Sequence, residues 1–438
     1  MSPDTLNRRQ FLQLSSLAAA GWLAGCATNP VTGERQLMLV SEQQEIALDK
    51  QYAPSQFSTD YGPSQDADLN AYISRTGQRL AALSHRPQMP YSFRAVNANY
   101  VNAYAFPGGS IATTRGILLE IENEAELAAL LGHELGHVNA RHTAEIMSKG
   151  MLSNALVGGV VAIMGSESRY GGLAAQLGML GSGALLASYS RDNERQADDL
   201  GMEYLVRAGY GSEGMVGLMD ILRNMSRHGG SATELLFATH PMSTERYQTA
   251  VQKAGGTYGA AKGRPLHRER YMDNTARLRR LKSVIETLQK GETALGREKL
   301  DEAQTQFASA LRQAPEDYAG LVLMAKCQLM QKKYDEAGAY LERARDVYPQ
   351  EPQAKYLAGF AELNRKRFEA ALALFEQYDK QLPGNPNTTF FKGFAYEGMG
   401  RRQPAAESYH RYLQAVNQGR NAQYAYNRLV EWGYVKPQ

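Results

Sequence analysis

The last third of the chain repeats itself with a period of 34 residues, and no other feature restricts the fold so tightly. Ala303, Ala337, Ala371 and Ala405 stand at that interval, as do Pro315, Pro349 and Pro383. Gly291, Ala325, Gly359 and Gly393 keep it too, and the bulky Phe307, Leu341, Phe375 and Tyr409 each follow a marker alanine by four. Small residues let paired helices approach closely, bulky ones fill the next groove, and proline ends the second helix of each pair.

A small residue early, alanine and then an aromatic later, and proline at the end of 34 residues make the tetratricopeptide pattern. It predicts four repeats over 284–417, with a capping helix and tail over 418–438 that cover the last apolar face. Such a solenoid offers a concave surface to polypeptide; the blander alternative is a scaffold that only orients the other domain. Just ahead, "GRPLHRERYMDNTARLRRLK" is dense in arginine. The reading for 263–283 is a basic, solvated linker helix, with attraction to anionic headgroups as the second possibility. The remainder, 26–262, forms the other domain. Charged residues are 21% and the net charge is only +3, so the composition is that of a folded soluble protein and gives no nucleic-acid signature.

The first 25 residues read as an export signal. "NRRQFLQLSSLAAAGWLAGC" places Arg8 and Arg9 before a short apolar run and small residues, too short to span a bilayer. Arg-Arg-x-Phe-Leu resembles a twin-arginine signal, and Leu-Ala-Gly-Cys resembles a lipobox. By that resemblance Cys26 becomes a lipid-modified N-terminus, anchored in the periplasm and, with Ala27 next, at the outer membrane. Cys327 is the other cysteine. With Cys26 lipidated, no internal disulfide is available.

In the N-terminal half, "YSFRAVNANYVNAYAFPGGSIATTRGIL" alternates about a Pro-Gly-Gly, which predicts strands joined by a tight turn. Apolar residues then recur at helical spacing over 122–149, with Asn123 as a plausible cap. Within this helix lies "HELGH": His133 and His137, four apart, share one face, and Glu134 lands beside them. Two helical histidines can both be hydrogen-bonded core residues, or both can point at one ion. A catalytic zinc needs a third protein ligand and an open position for water. The candidate is Glu194 in "SRDNERQADDLGMEYL", with Asp198 one turn on, placed to accept the second ring N–H of a histidine ligand such as His133.

Four ordered motifs, "NAYAFPGGSIATTRGIL", "LAALLGHELGHVNARH", "SRDNERQAD" and "HPMSTER", make the chain similar to the zinc metalloproteases related to HtpX and the CAAX-prenyl endopeptidases. "CATNPVTGERQLMLVSEQQEIAL" resembles the exported branch of that family. The fold class this implies is mainly α: a gluzincin-type α+β zincin domain with a small sheet, followed by a tetratricopeptide α-solenoid. The resemblance implies one Zn2+ per chain, His133, His137 and Glu194 as its ligands, and Glu134 as general base for an attacking water. It also implies roles near the site for His240 and Arg246, both candidates for supporting the oxyanion. For His240, direct ligation in a latent state and a purely structural turn are the rival readings. Ala103, Tyr104, Ala105 and Phe106 form the expected substrate-edge strand, to which an extended peptide would add by main-chain hydrogen bonds. An internal hairpin strand is the alternative.

Residues 151–188 are apolar and glycine-rich but broken by polar residues, which favours a cover or core element beside the site over a membrane span. Together these readings predict a lipid-anchored periplasmic zinc endopeptidase. Its substrates would be unfolded or misassembled envelope proteins, and its repeats would engage the outer-membrane assembly machinery. The rival is a chaperone or adaptor whose proteolysis is rare or latched.

Overall fold

A computed structural model of the chain describes residues 26–157, 188–228 and 230–436. The expected leader, 1–25, and nearly all of the glycine-rich stretch 151–188 lie outside the described residues. Among the described residues no helix is long and apolar enough to cross a membrane. Cys26 opens β1 (Cys26–Thr28), which pairs antiparallel with β2 (Arg35–Leu37).

The small sheet is mixed, in the order β3-β5-β4. β3 (Ser92–Val96) runs parallel to β5 (Ser110–Thr114), and β4 (Ala103–Ala105) runs antiparallel to β5 at the edge. Phe106 lies outside the strand: its N–H donates to Ser110 O at 2.8 Å and begins the turn, which Gly109 completes at φ +106°. The pleat splits the sheet residues between two cores. Ala95, Ala103, Ala105 and Ile111 enter the main core, while Val96, Tyr104 and Ala112 join Phe57 and Phe106 in a smaller aromatic cluster.

The helix carrying the histidine pair, Glu124–Asn139, is buried along its whole length. Asn123 caps it, its side-chain oxygen accepting from Glu126 N at 3.0 Å. The apolar periodicity predicts that it continues to residue 149. Instead it stops at Asn139, passes through Arg141 at φ +60°, and restarts as His142–Val157. Tertiary partners enforce the break. Arg86 donates to Val138 O at 2.8 Å and Asn139 Oδ1 accepts from Arg86 N at 2.7 Å. Arg141 is held by Val40 O at 2.7 Å and by the buried Glu45 carboxylate at 3.1 Å.

The 34-residue period appears as antiparallel helix pairs: Lys282–Gly296 with Leu300–Gln313, Tyr318–Met330 with Tyr334–Val347, Gln353–Asn364 with Phe368–Gln381, and Pro386–Gly398 with Arg402–Ala415. Arg420–Glu431 closes the stack. The small-to-bulky rule is literal. A Cβ on Gly359 would lie 2.7 Å from the Phe375 ring, and one on Gly393 would lie 2.8 Å from the Tyr409 ring. A second periodic feature is backbone: Glu298, Lys332, Lys366 and Gly400 turn each pair with φ between +59° and +72°. The linker differs from the expected single solvated helix. It folds as Arg268–Asn274 and Ala276–Arg280, and its arginines bind the first domain. Arg270 pairs with Glu124, Arg279 donates to Ile121 O, and Tyr271 is buried.

The repeats are not open along the face expected to receive polypeptide. Every residue of Tyr318–Met330 is buried between the neighbouring repeat helices and the first domain, whose Tyr61, Gln65 and Asn99 also bond the repeat residues Glu292 and Val347. The contact is polar. Arg115 makes a two-point bond to Asp317 at 2.7 and 3.0 Å. Glu292 accepts from Asn99 at 3.0 Å and Tyr61 at 3.2 Å, and the buried Lys326 ammonium lies 5.0 Å above the Tyr61 ring. Glu351 accepts from the Ser58 hydroxyl, and burial pushes its carboxyl up to about 7.

This last value gives a pH signature. A carboxyl raised in the folded state is held protonated there while the unfolded chain already releases the proton. Stability is therefore lost as pH climbs from about 4.5 to about 7, by up to ~3 kcal/mol for a shift of this size. Glu351→Gln is expected to match the wild type in urea denaturation at pH 5 and to exceed it at pH 8.

Candidate metal centre

Two helices build the site, and small residues set their separation. The histidine helix crosses the helix Arg191–Arg207, which a Ser190–Asn193 capping box starts. A Cβ on Gly201 would lie 2.9 Å from His133 N, and one on Gly136 would lie 2.9 Å from both Ala197 Cα and Ala197 O. The backbones therefore touch, and Glu194 and Asp198 reach across to the histidines.

His133 Nε2 and His137 Nε2 lie 3.1 Å apart. Glu194 Oε1 is 3.3 Å from His137 Nε2 and 3.1 Å from His240 Nδ1, which is itself 3.4 Å from His133 Nε2. All four donor atoms fall within 4.8 Å of one another, and all four residues are buried. A tetrahedral ion with bonds of about 2.0–2.1 Å spaces its donors about 3.3–3.4 Å apart, so these edges are those of a cation cage.

Proton inventory supports the same fit. Asp198 Oδ1 stands 2.9 Å from His133 Nδ1. A carboxylate accepts only, so this contact favours the tautomer with the proton on Nδ1 and Nε2 turned to the cage. Burial pushes His137 well below the usual imidazole range, which favours its neutral form. Burial alone would raise Glu194, but the nearby His240 and His133 and the bonds from His137 and His240 hold it well below the carboxylate range. Glu134 is buried with its Oε2 unpartnered, and burial raises its carboxyl. His240 Nε2 is 3.9 Å from Glu134 Oε1. Burial opposes charge on His240, but the Glu194 and Glu134 carboxylates outweigh it and raise its pKa.

Arg246, expected as a donor for substrate charge, has its nitrogens engaged. Nη1 meets Glu194 Oε2 at 2.6 Å and donates to Pro241 O at 3.0 Å, while Nε and Nη2 both meet Asp198 at 2.7 Å. It clamps the two carboxylates of the site. The strand residues Ala103, Tyr104 and Ala105 lie at the sheet edge, and Val101 N, just before them, donates to Ala232 O at 2.8 Å. Ala232 precedes the short helix Glu234–Thr239 that delivers His240.

Three residues escaped the sequence reading. Tyr189 stacks on His137 with ring centroids 3.7 Å apart and bonds Thr143 at 3.1 Å. His142 and Gln196 stand behind His137. The only available signal was adjacency: Tyr189 precedes "SRDNERQAD", and His142 ends "HELGHVNARH".

Residues 67–254 match the family model described as Peptidase family M48, and 294–359 and 339–386 match tetratricopeptide repeat models. The chain is 32% identical over 195 residues to a β-barrel assembly-enhancing protease of Yersinia pestis, covering 43% of this chain and 40% of that protein. It is 33% identical over 180 residues to the metalloprotease YcaL of Escherichia coli K12, covering 40% of this chain and 68% of that protein. Among solved structures it is similar to the repeat protein YrrB, at 18% identity and a TM-score of 0.31, covering 42% of this chain and 92% of that one.

The helix crossing yields a test. Gly136→Ala is expected to cost about 1–3 kcal/mol in urea denaturation, as overpacking does. It should also weaken zinc retention against a chelator, since Glu194 moves away with its helix.

Proposed function

The chain belongs to peptidase family M48, and on that footing we propose that it is a zinc-dependent endopeptidase of the bacterial envelope, lipid-anchored through Cys26. One observation carries the reading: two imidazoles and a carboxylate from separate helices converge at cation-cage distances beside a glutamate with a bare, buried oxygen. His133, His137 and Glu194 are the ligands for one Zn2+. A cation there acidifies a water and draws charge from a peptide carbonyl.

The chain's own groups do the rest. Glu134 Oε2, unpartnered and with its affinity for protons raised by burial, takes the proton of the attacking water and returns it to the leaving nitrogen. Asp198 keeps the His133 proton on Nδ1, and Arg246 holds Asp198 and Glu194 in place. β4 offers main-chain groups to an extended peptide, which suits substrates selected for being unfolded rather than for their sequence.

His240 is the latch. Its Nδ1 sits among the donors, so the conformation described is a resting one, and hydrolysis requires His240 to withdraw. This accommodates a second reading, that of a chaperone or adaptor whose proteolysis is held in check. The substrates proposed are misassembled envelope proteins, with the repeats engaging the outer-membrane assembly machinery. The support is the likeness to proteins named for β-barrel assembly, although that likeness spans only 40% of their length.

Glu134→Gln should keep one zinc per chain while slowing casein hydrolysis about 10²–10⁴-fold. His240→Ala should raise basal hydrolysis with zinc retained. A zinc-loaded but inactive His240→Ala protein would replace the latch with support of the oxyanion.

A further inference from the structure

Behind His137, on the side away from the donor cage, lie two polar groups with no part in the chemistry above. His137 Nδ1 is 2.9 Å from His142 Nδ1, and His142 Nε2 is 2.9 Å from Gln196 Oε1. Both histidines are buried. Gln196 comes from the same helix as Glu194 and Asp198.

The contacts have a direction. An amide oxygen only accepts, so Gln196 Oε1 requires the His142 proton on Nε2. A neutral imidazole has one N–H, so His142 Nδ1 is then bare and accepts. His137 must supply the proton of that bond from its own Nδ1, which leaves its Nε2 lone pair facing His133 and Glu194. Reversing Gln196 would shift each proton one place and put a hydrogen on His137 Nε2, where it would exclude a cation.

We propose that His142 and Gln196 form a relay that locks His137 in its metal-binding tautomer, with His142 as a positioning residue and not a ligand. The relay does for His137 what Asp198 does directly for His133. The chain break makes this contact possible. In an uninterrupted helix His142 would lie about 140° around the axis from His137. The left-handed Arg141 ends the helix and lets the next one begin at His142, with its ring 5.0 Å from that of His137.

The inference rests on His133, His137 and Glu194 holding a cation, and zinc binding by the full-length protein separates the two claims. Zinc is titrated against a chromophoric chelator in wild type, His142→Phe and His142→Asn. Phe keeps the ring and removes the acceptor; Asn restores an acceptor oxygen at the place of Nδ1. The expected result is one tight zinc in wild type, affinity about 10–100-fold weaker in His142→Phe, and recovery of most of it in His142→Asn. Absence of a site in wild type would overturn the metal reading itself. A wild-type site with undiminished affinity in His142→Phe, or with both variants equally weak, would overturn the relay alone. Should His142→Phe fail to fold, the half-buried Gln196 decides. Gln196→Glu, which only accepts, should keep the affinity, and Gln196→Lys, which only donates, should lower it by a similar factor. Equal affinities in that pair would sink the relay.

Discussion

The site depends on two helix backbones in contact. His133 and His137 sit on one helix and Glu194 and Asp198 on the other, and the side chains span the gap only because Gly132, Gly136, Ala197 and Gly201 line the crossing. Glycine within a helix costs about 1 kcal/mol relative to alanine. Here that local cost is offset by packing the helices into the main core, where Leu127, Leu131, Leu135, Leu200 and Leu205 are buried. What the crossing assembles is costly in its turn. Glu194 and Asp198, the Arg246 guanidinium and the imidazoles of His133, His137 and His240 leave water together beside the buried Glu134, and charge among them must be paired to offset its desolvation. Arg246 pairs both carboxylates and Asp198 also holds His133, but the two bare Nε2 atoms still face each other at 3.1 Å. A cation held there would relieve that opposition and so would link metal binding to folding stability.

The repeats meet the first domain through charge as well as apolar area. Arg115–Asp317 and the cluster of Asp60, Glu292 and Lys326 are buried at the contact, and the low polarity lowers Lys326 to about 8. Buried pairs of this kind add little net stability, but a wrong docking angle would leave each charge unpaired, at several kcal/mol. The interface thus fixes orientation. It also withdraws the Tyr318–Met330 face from partners, which leaves the later pairs, such as Pro386–Gly398 with its half-buried Phe394 and Tyr396, as the more accessible part of the solenoid.

How much of this was legible in advance follows from the range of each interaction. The repeats were readable because each contact, such as Gly359 on Phe375, recurs locally at a fixed spacing. The histidine pair and Glu134 were readable because a helix puts i and i+4 on one face. The helix break at Arg141 was not, since it is imposed by Arg86, Val40 and Glu45, far away in the chain. For the same reason Arg246 read as a candidate donor to the oxyanion: its partners, Glu194 and Asp198, lie about fifty residues earlier. The linker arginines are largely exposed, as a basic stretch suggests, but the partners that tie Arg270 and Arg279 to the first domain, Glu124 and Ile121 O, were equally out of view.

For the latch proposed at His240, the segment leading to it sets the cost of opening. Ser231 bonds Thr293 of the first repeat helix, Ala232 O accepts from Val101, Ala238 O accepts from Ser188, and Thr239 O accepts from Tyr189. Leu235 is partly exposed, but Leu236 is buried in the main core and Phe237 packs against it, so lifting the segment also gives up about 1.5–3 kcal/mol of apolar burial. Four hydrogen bonds at about 0.5–1.5 kcal/mol net each come to about 2–6 kcal/mol, within the range of local opening in a folded domain. The ring of His240 adds its own contacts to Glu194 and His133. Release of His240 therefore does not require the two domains to separate. The buried charges of their interface can stay paired while one short helix lifts, and because the residues leading into that helix bond Val101, just before β4, and Thr293 of the repeats, the same movement would free the chain beside the sheet edge.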